Sequence, residues 1–103
     1  MSFGRAIAES RKKASLSQKE LAALIKKEDG EQISPQYLND IERERRNPPA
    51  EFLIDHFAMV LGIPREVLYY QAGELTTEDK GIGADQDRIV AAYTAFRKTI
   101  RGR

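Results

Sequence analysis

The chain has 103 residues, 17 Lys and Arg against 16 Asp and Glu, a net charge of +1, one histidine and no cysteine. That length carries one domain with a tail and leaves no room for a second catalytic domain. The absence of cysteine excludes a disulfide frame and a thiolate metal site, and a lone histidine argues against zinc. With a net charge so near zero, any electrostatic footprint for nucleic acid must be local. Three clusters stand out: Arg11-Lys12-Lys13, Arg43 with Arg45-Arg46, and Arg97-Lys98 with Arg101 and Arg103. The apolar runs are too short to span a bilayer, and the start M-S-F-G-R has no secretory apolar region. A cytoplasmic location is the expectation.

Residues 3 to 14 read as a first helix, with Phe3, Ala6, Ile7, Ser10 and Ala14 at helical spacing. Ser17 and Glu20 have the spacing of a capping box, which opens a second helix with Leu21, Leu24 and Ile25 on one face. Lys26 to Ile33 is polar, contains Gly30 and reads as a surface loop. Ser34 caps a third helix with Pro35 in its first position, where a missing N–H costs nothing. Leu38 and Ile41 form its apolar stripe, and Gln36, Tyr37, Asn39, Asp40 and Arg43 fall outside it.

Asn47-Pro48-Pro49 ends that helix, and a fourth follows from about Ala50 to Leu61 with Phe52, Leu53, Phe57, Val60 and Leu61 as buried candidates. His56 reads as a packing residue there. Ile63-Pro64 opens a fifth helix with Val67, Leu68 and Tyr70 inward, closed by Gly73. Residues 1–73 are thus an all-α domain, because no stretch alternates long enough for a strand. Glu74 to Ala84 reads as a linker, and 85–103 as a C-terminal helical segment. In it Ile89, Tyr93, Phe96 and Ile100 make a stripe narrow enough to pack on one partner helix. That stripe either folds back on the core or pairs with the same helix of a second chain; the glycine linker and terminal position favour dimerisation.

Leu16-Ser17-Gln18-Lys19-Glu20-Leu21-Ala22, then Ser34-x-x-Tyr37-Leu38-x-x-Ile41-Glu42-Arg43, Arg46-Asn47-Pro48 and Leu61-Gly62-Ile63 together resemble the Cro/CI-type (Xre-type) helix-turn-helix DNA-binding regulators. The resemblance covers roughly residues 3 to 73. It implies a five-helix, lambda-repressor-like bundle whose third helix enters the major groove. Two departures stand out. Residues Lys27 to Gln32 are extra where the family has a tight turn. Glu44 stands where the family commonly has a glycine that ends the recognition helix; keeping that left-handed backbone would cost about 1 kcal/mol.

The resemblance assigns DNA contact to Ser17, Gln18 and Lys19 at the start of the second helix, where free N–H groups and the helix dipole favour a phosphate. It assigns base or phosphate contact to Ser34, Pro35, Gln36, Tyr37, Asn39, Asp40, Arg43, Arg45, Arg46 and Asn47. Gln and Asn pair bidentately with adenine, Asp accepts from cytosine, and the arginines supply salt-sensitive affinity without sequence information. It also implies a structural Arg11–Glu42 salt bridge. The functional expectation is a transcriptional repressor that binds double-stranded DNA as a homodimer on a pseudo-palindromic operator, with half-sites about 34 Å apart. The alternative is an antitoxin whose C-terminal segment neutralises a toxin protein. No cofactor or metal is expected. One histidine, no cysteine, no glycine-rich phosphate loop and no paired carboxylates leave no constellation for an enzyme.

Overall fold

Side-chain caps set where five of the seven described helices begin, α4 and α5 being the exceptions. In the computed structural model, which describes residues 2–102, the helices are α1 (Phe3–Lys13), α2 (Gln18–Leu24), α3 (Pro35–Glu42), α4 (Glu51–Leu61), α5 (Arg65–Ala72), α6 (Thr77–Lys80) and α7 (Gln86–Arg101). Arg103, the last of the terminal basic cluster, lies outside the described residues. Ser2, Ser17, Ser34, Thr76 and Asp85 each accept an N–H of the following first turn. Among the described residues no helix is long and apolar enough to cross a membrane, and no cluster of His, Asp and Glu is suited to hold a metal.

The core is built by Phe3 and Ile7 of α1, Leu21 and Ala22 of α2, Leu38 and Ile41 of α3, Leu53, Ile54 and Phe57 of α4, and Leu68 and Tyr69 of α5. Phe3 meets Phe57 edge to face, with centroids 6.4 Å apart. Each such side chain contributes about 1.5–3 kcal/mol by leaving water. Several expected faces are corrected here. Phe52 is 45% exposed and lies beside His56, while Ile54 and Ala58 point inward. Leu24 is half exposed and Ala22 takes its place. In α5 the inward residue is Tyr69, while Val67 and Tyr70 face solvent. Tyr69 turns inward because its hydroxyl has a partner: it donates to Asp55 Oδ1 at 3.0 Å, beside Arg65. Burial pushes the Tyr69 phenol up to about 12.

Glu74 to Ala84 is not a plain linker, because α6 forms within it. The Thr77 N–H donates to Glu51 Oε1 at 2.9 Å, which fastens the start of α6 to the start of α4 and holds the Glu51 carboxyl below its ordinary value. Beyond α6 the chain loses the bundle. No residue of α7 is buried, and Tyr70 is the aromatic residue it reaches, with centroids 6.0 Å from Phe96. The radius of gyration, 15.4 Å, exceeds the value of about 13 Å for a compact domain of this length because α7 projects.

The extra residues between α2 and α3 form a pinched hairpin. Lys26 and Gln32 make an antiparallel bridge, the Ile33 N–H donates to Ile25 O at 3.0 Å, and Lys27 N–H donates to Glu31 O at 2.8 Å. His56 anchors it from α4, with Nδ1 accepting the Lys26 N–H at 3.0 Å.

Glu44 does keep the left-handed backbone, with φ +60°, and completes a Schellman closure of α3: its N–H donates to Ile41 O and that of Arg45 to Asp40 O. Its carboxylate then crosses to α1, where Oε1 accepts the Gly4 N–H at 2.9 Å. A negative charge at a helix start is favourable, so this contact offsets the strain. The approach is possible because residue 4 lacks a side chain. A methyl there would overlap the Ile41 carbonyl oxygen and stand 2.7 Å from Glu44 Oε1.

Gly4→Ala is therefore expected to lose about 1–3 kcal/mol or more of stability by urea denaturation, as overpacking does. Glu44→Gly is expected within about 1 kcal/mol of the parent, since it trades relieved strain for a lost charge-assisted contact. A Gly4→Ala protein as stable as the parent would show that α1 does not need this close approach.

Candidate nucleic-acid interface

Two helix starts and one helix face meet on the same side of the bundle. At α2 the capping box is closed in both directions: Ser17 Oγ accepts the Glu20 N–H at 3.0 Å, and Glu20 Oε1 accepts the Ser17 N–H at 2.9 Å. These bonds hold the Glu20 carboxyl below its ordinary value, so the box stabilises above that value and is lost as pH falls through the lowered one. The box leaves the first-turn N–H groups of Gln18 and Lys19 without an intrahelical acceptor. At α3 Ser34 Oγ accepts the Tyr37 N–H at 3.0 Å and Pro35 has none to offer, which leaves the Gln36 N–H.

Between these starts runs the outer face of α3. Leu38 and Ile41 are buried beneath it, so Gln36, Asn39, Asp40 and Arg43 lie on the solvent side. Gln36 and Arg43 are exposed, and Asn39 and Asp40 are half-buried. Gln36 Nε2 donates to Asp40 Oδ1 at 3.0 Å. Asp40 also faces Arg45 Nη1 at 3.8 Å and Arg46 Nε at 3.6 Å, so its charge is matched by its neighbours. The Arg46 guanidinium lies over the Tyr37 ring, 5.0 Å from its centroid. Tyr37, Arg45, Arg46, Asn47 and Pro48 border an open cleft past the end of α3. Ser17, Lys19, Ser34, Pro35 and Asn47 are exposed around this surface.

Under the face lies an ion pair. Arg11 Nε donates to Glu42 Oε2 at 2.7 Å and Arg11 Nη2 to Glu42 Oε1 at 3.0 Å, with side chains only 11% and 5% exposed. Glu42 raises the Arg11 guanidinium above its ordinary value, mainly through the hydrogen bond. Arg11 Nη1 also donates to Leu16 O at 2.9 Å, which ties the α1–α2 corner into the pair. Gln18 reaches the same carboxylate: its Nε2 donates to Glu42 Oε1 at 3.0 Å and to Asn39 Oδ1 at 3.1 Å. Ile89, Tyr93, Phe96 and Ile100 sit elsewhere, on α7, each about half exposed.

Two roles were not read from the sequence. Glu44 closes α1 as well as α3; its place at a customary glycine position was the signal. His56 fixes the hairpin; a lone histidine carries no signal for that.

Arg11→Ala leaves a buried carboxylate without its cation and is expected to cost about 3–5 kcal/mol of unfolding free energy by urea titration. A loss under about 1 kcal/mol would mean the pair does not hold α1 to α3.

A helix-turn-helix family model matches residues 7–55. A chain of the solved SinR protein/SinI protein complex has this fold with a TM-score of 0.56 and 25% sequence identity, over 94% of this chain and 98% of that one. The curated proteins contain no match. The matched span holds the capped α2, the hairpin, the α3 face and the Arg11–Glu42 pair beneath it. Residues 7–55 are a helix-turn-helix domain of the Cro/CI (Xre) type, and this domain together with the likeness to the solved chain supports a DNA-binding transcription regulator.

Proposed function

We propose that this chain is a sequence-specific repressor that binds a pseudo-palindromic operator as a homodimer and acts by occupying promoter DNA against polymerase. One observation carries the reading of bases: an amide-and-arginine face on α3 stands between two helix starts with unfilled N–H groups. Phosphates on those N–H groups and on Arg43, Arg45 and Arg46 set the register, and α3 then meets the base edges. The dimer reading rests on α7. Ile89, Val90, Tyr93, Phe96 and Ile100 are exposed on a helix with nothing buried. Its start carries Asp85 and Asp87 against a single Arg88, and its end carries Arg97, Lys98 and Arg101. An antiparallel pair of α7 helices sets these opposite charges against each other, whereas a parallel pair stacks like charges.

A second reading has one observation in its favour. The similar solved chain comes from a complex of two different proteins. On that reading α7 serves a different protein, a toxin in the antitoxin case, and stays unpaired until that protein arrives.

In vitro selection of random duplex DNA with the full-length protein is expected to enrich a two-fold-symmetric motif with half-sites about 34 Å apart. Sedimentation is expected to give a dimer. Phe96→Glu is expected to give a monomer with intact helicity and roughly a hundredfold weaker binding to the two-half-site DNA. A parent protein that sediments as a monomer and enriches only a single half-site would remove the dimer and favour the partner-protein reading.

A further inference from the structure

The hydrogen-bond chain beneath α3 has a direction, and that direction reaches the recognition face. Arg11 donates only and the Glu42 carboxylate accepts only, so the atom of Gln18 at 3.0 Å from Glu42 Oε1 must be the amide nitrogen. Its second hydrogen goes to Asn39 at 3.1 Å, so the Asn39 atom there must be the oxygen. Arg43 Nε, again a donor only, meets that same Oδ1 at 3.2 Å. Both lone pairs of Asn39 Oδ1 are therefore filled from within the protein. What Asn39 has left to offer is Nδ2 and its two hydrogens.

Bidentate reading of adenine needs an amide that donates to N7 and accepts from N6. Asn39 has lost the accepting half. Guanine presents two acceptors, O6 and N7, and matches a pure donor. We infer that the Arg11–Glu42–Gln18 chain presets Asn39 as a hydrogen-bond donor, so that Asn39 selects guanine over adenine in the major groove. Gln18 is then a positioning residue. Both of its amide hydrogens are committed, and its remaining oxygen is repelled by a phosphate, so its side chain acts through Asn39 while its backbone N–H stays available to DNA. This inference rests on the DNA-reading assignment above and names the base that the α3 face takes at one position.

The test is in vitro selection on random duplex DNA with the full-length parent, Asn39→Ala, Asn39→Asp and Gln18→Ala, each checked for folding by its melting transition. The position whose preference is lost in Asn39→Ala identifies the base under Asn39. In the parent that base is expected to be guanine, favoured over adenine by about tenfold or more. Asn39→Asp replaces the donor by an acceptor while Gln18 and Arg43 still hold one oxygen, and is expected to shift the same position to cytosine, whose N4 amino group donates. Gln18→Ala frees one lone pair on Asn39 and is expected to reduce the guanine-over-adenine preference severalfold at that position alone, an effect that a merely structural Gln18 would not produce. Adenine under Asn39 in the parent, or a motif unchanged in Asn39→Ala, overturns the inference and leaves the DNA-reading assignment standing. No enriched motif from any folded protein overturns both.

Discussion

The Arg11–Glu42 pair is the constraint on which the arrangement of the outer face of α3 depends. Apolar faces hold α1, α2 and α3 together, but the burial of Leu21, Leu38 and Ile41 is non-directional. The ion pair is directional. Glu42 receives Nε and Nη2 of Arg11 and the amide of Gln18, and Arg11 also grips the Leu16 carbonyl. Two nearly dry charges are stable only when every donor and lone pair is matched, which leaves one relative placement of three helices. That placement sets where Gln36, Asn39 and Arg43 stand relative to the free N–H groups of α2. The pair thus spends desolvation energy on geometry.

The end of α3 is held by a second junction that uses a residue against its conformational preference. A left-handed glutamate at position 44 is strained, and glycine would remove the strain. Glycine would also remove the carboxylate that closes the N-terminus of α1. Gly4 on the other side makes the approach possible. The flexible residue and the functional side chain have exchanged ends of the contact. The C-terminal end of α3 is therefore tied twice, to α1 and α2 through Glu42 and to α1 again through Glu44, so α3 moves with the bundle.

What the sequence made legible follows the range of the forces involved. Ser17 with Glu20, Ser34 with Pro35, and Gly73 act within one turn, and their positions in the chain are enough to place them. The apolar pattern points Phe52, Leu24, Val67 and Tyr70 inward, yet they are largely exposed, because in a short helix neighbouring apolar residues differ by a rotation that only the packed partner decides. Tyr69 shows the deciding force: its hydroxyl needs Asp55, which lies in a different helix. The short α6 was missed because a turn of helix with no buried face leaves no apolar period. The hydrogen-bond direction running from Arg11 to Asn39 was beyond sequence reading for the same reason. Residue types name the possible donors and acceptors, but only the fold says which lone pairs are already filled.

The extra residues between α2 and α3 show how a loop can lengthen without moving what it joins. A longer connection disturbs a helix pair when its ends are pushed apart. Here the ends are drawn together: Ile25 and Ile33 share a backbone hydrogen bond at the base of the hairpin, and both side chains are in the core. The added backbone is satisfied largely within itself, through Lys27 with Glu31 and the turn at Gly30, and by His56. So α2 and α3 meet across Ile25 and Ile33 as they would across a short turn, and Gln18 still reaches Asn39. The hairpin tip, Glu28-Asp29-Gly30-Glu31, is acidic and exposed, and phosphates would repel it. A tip of that charge is compatible with DNA on the α3 face only if the hairpin stays clear of the backbone. Its anchorage to α4 through His56 gives it a fixed place from which to do so.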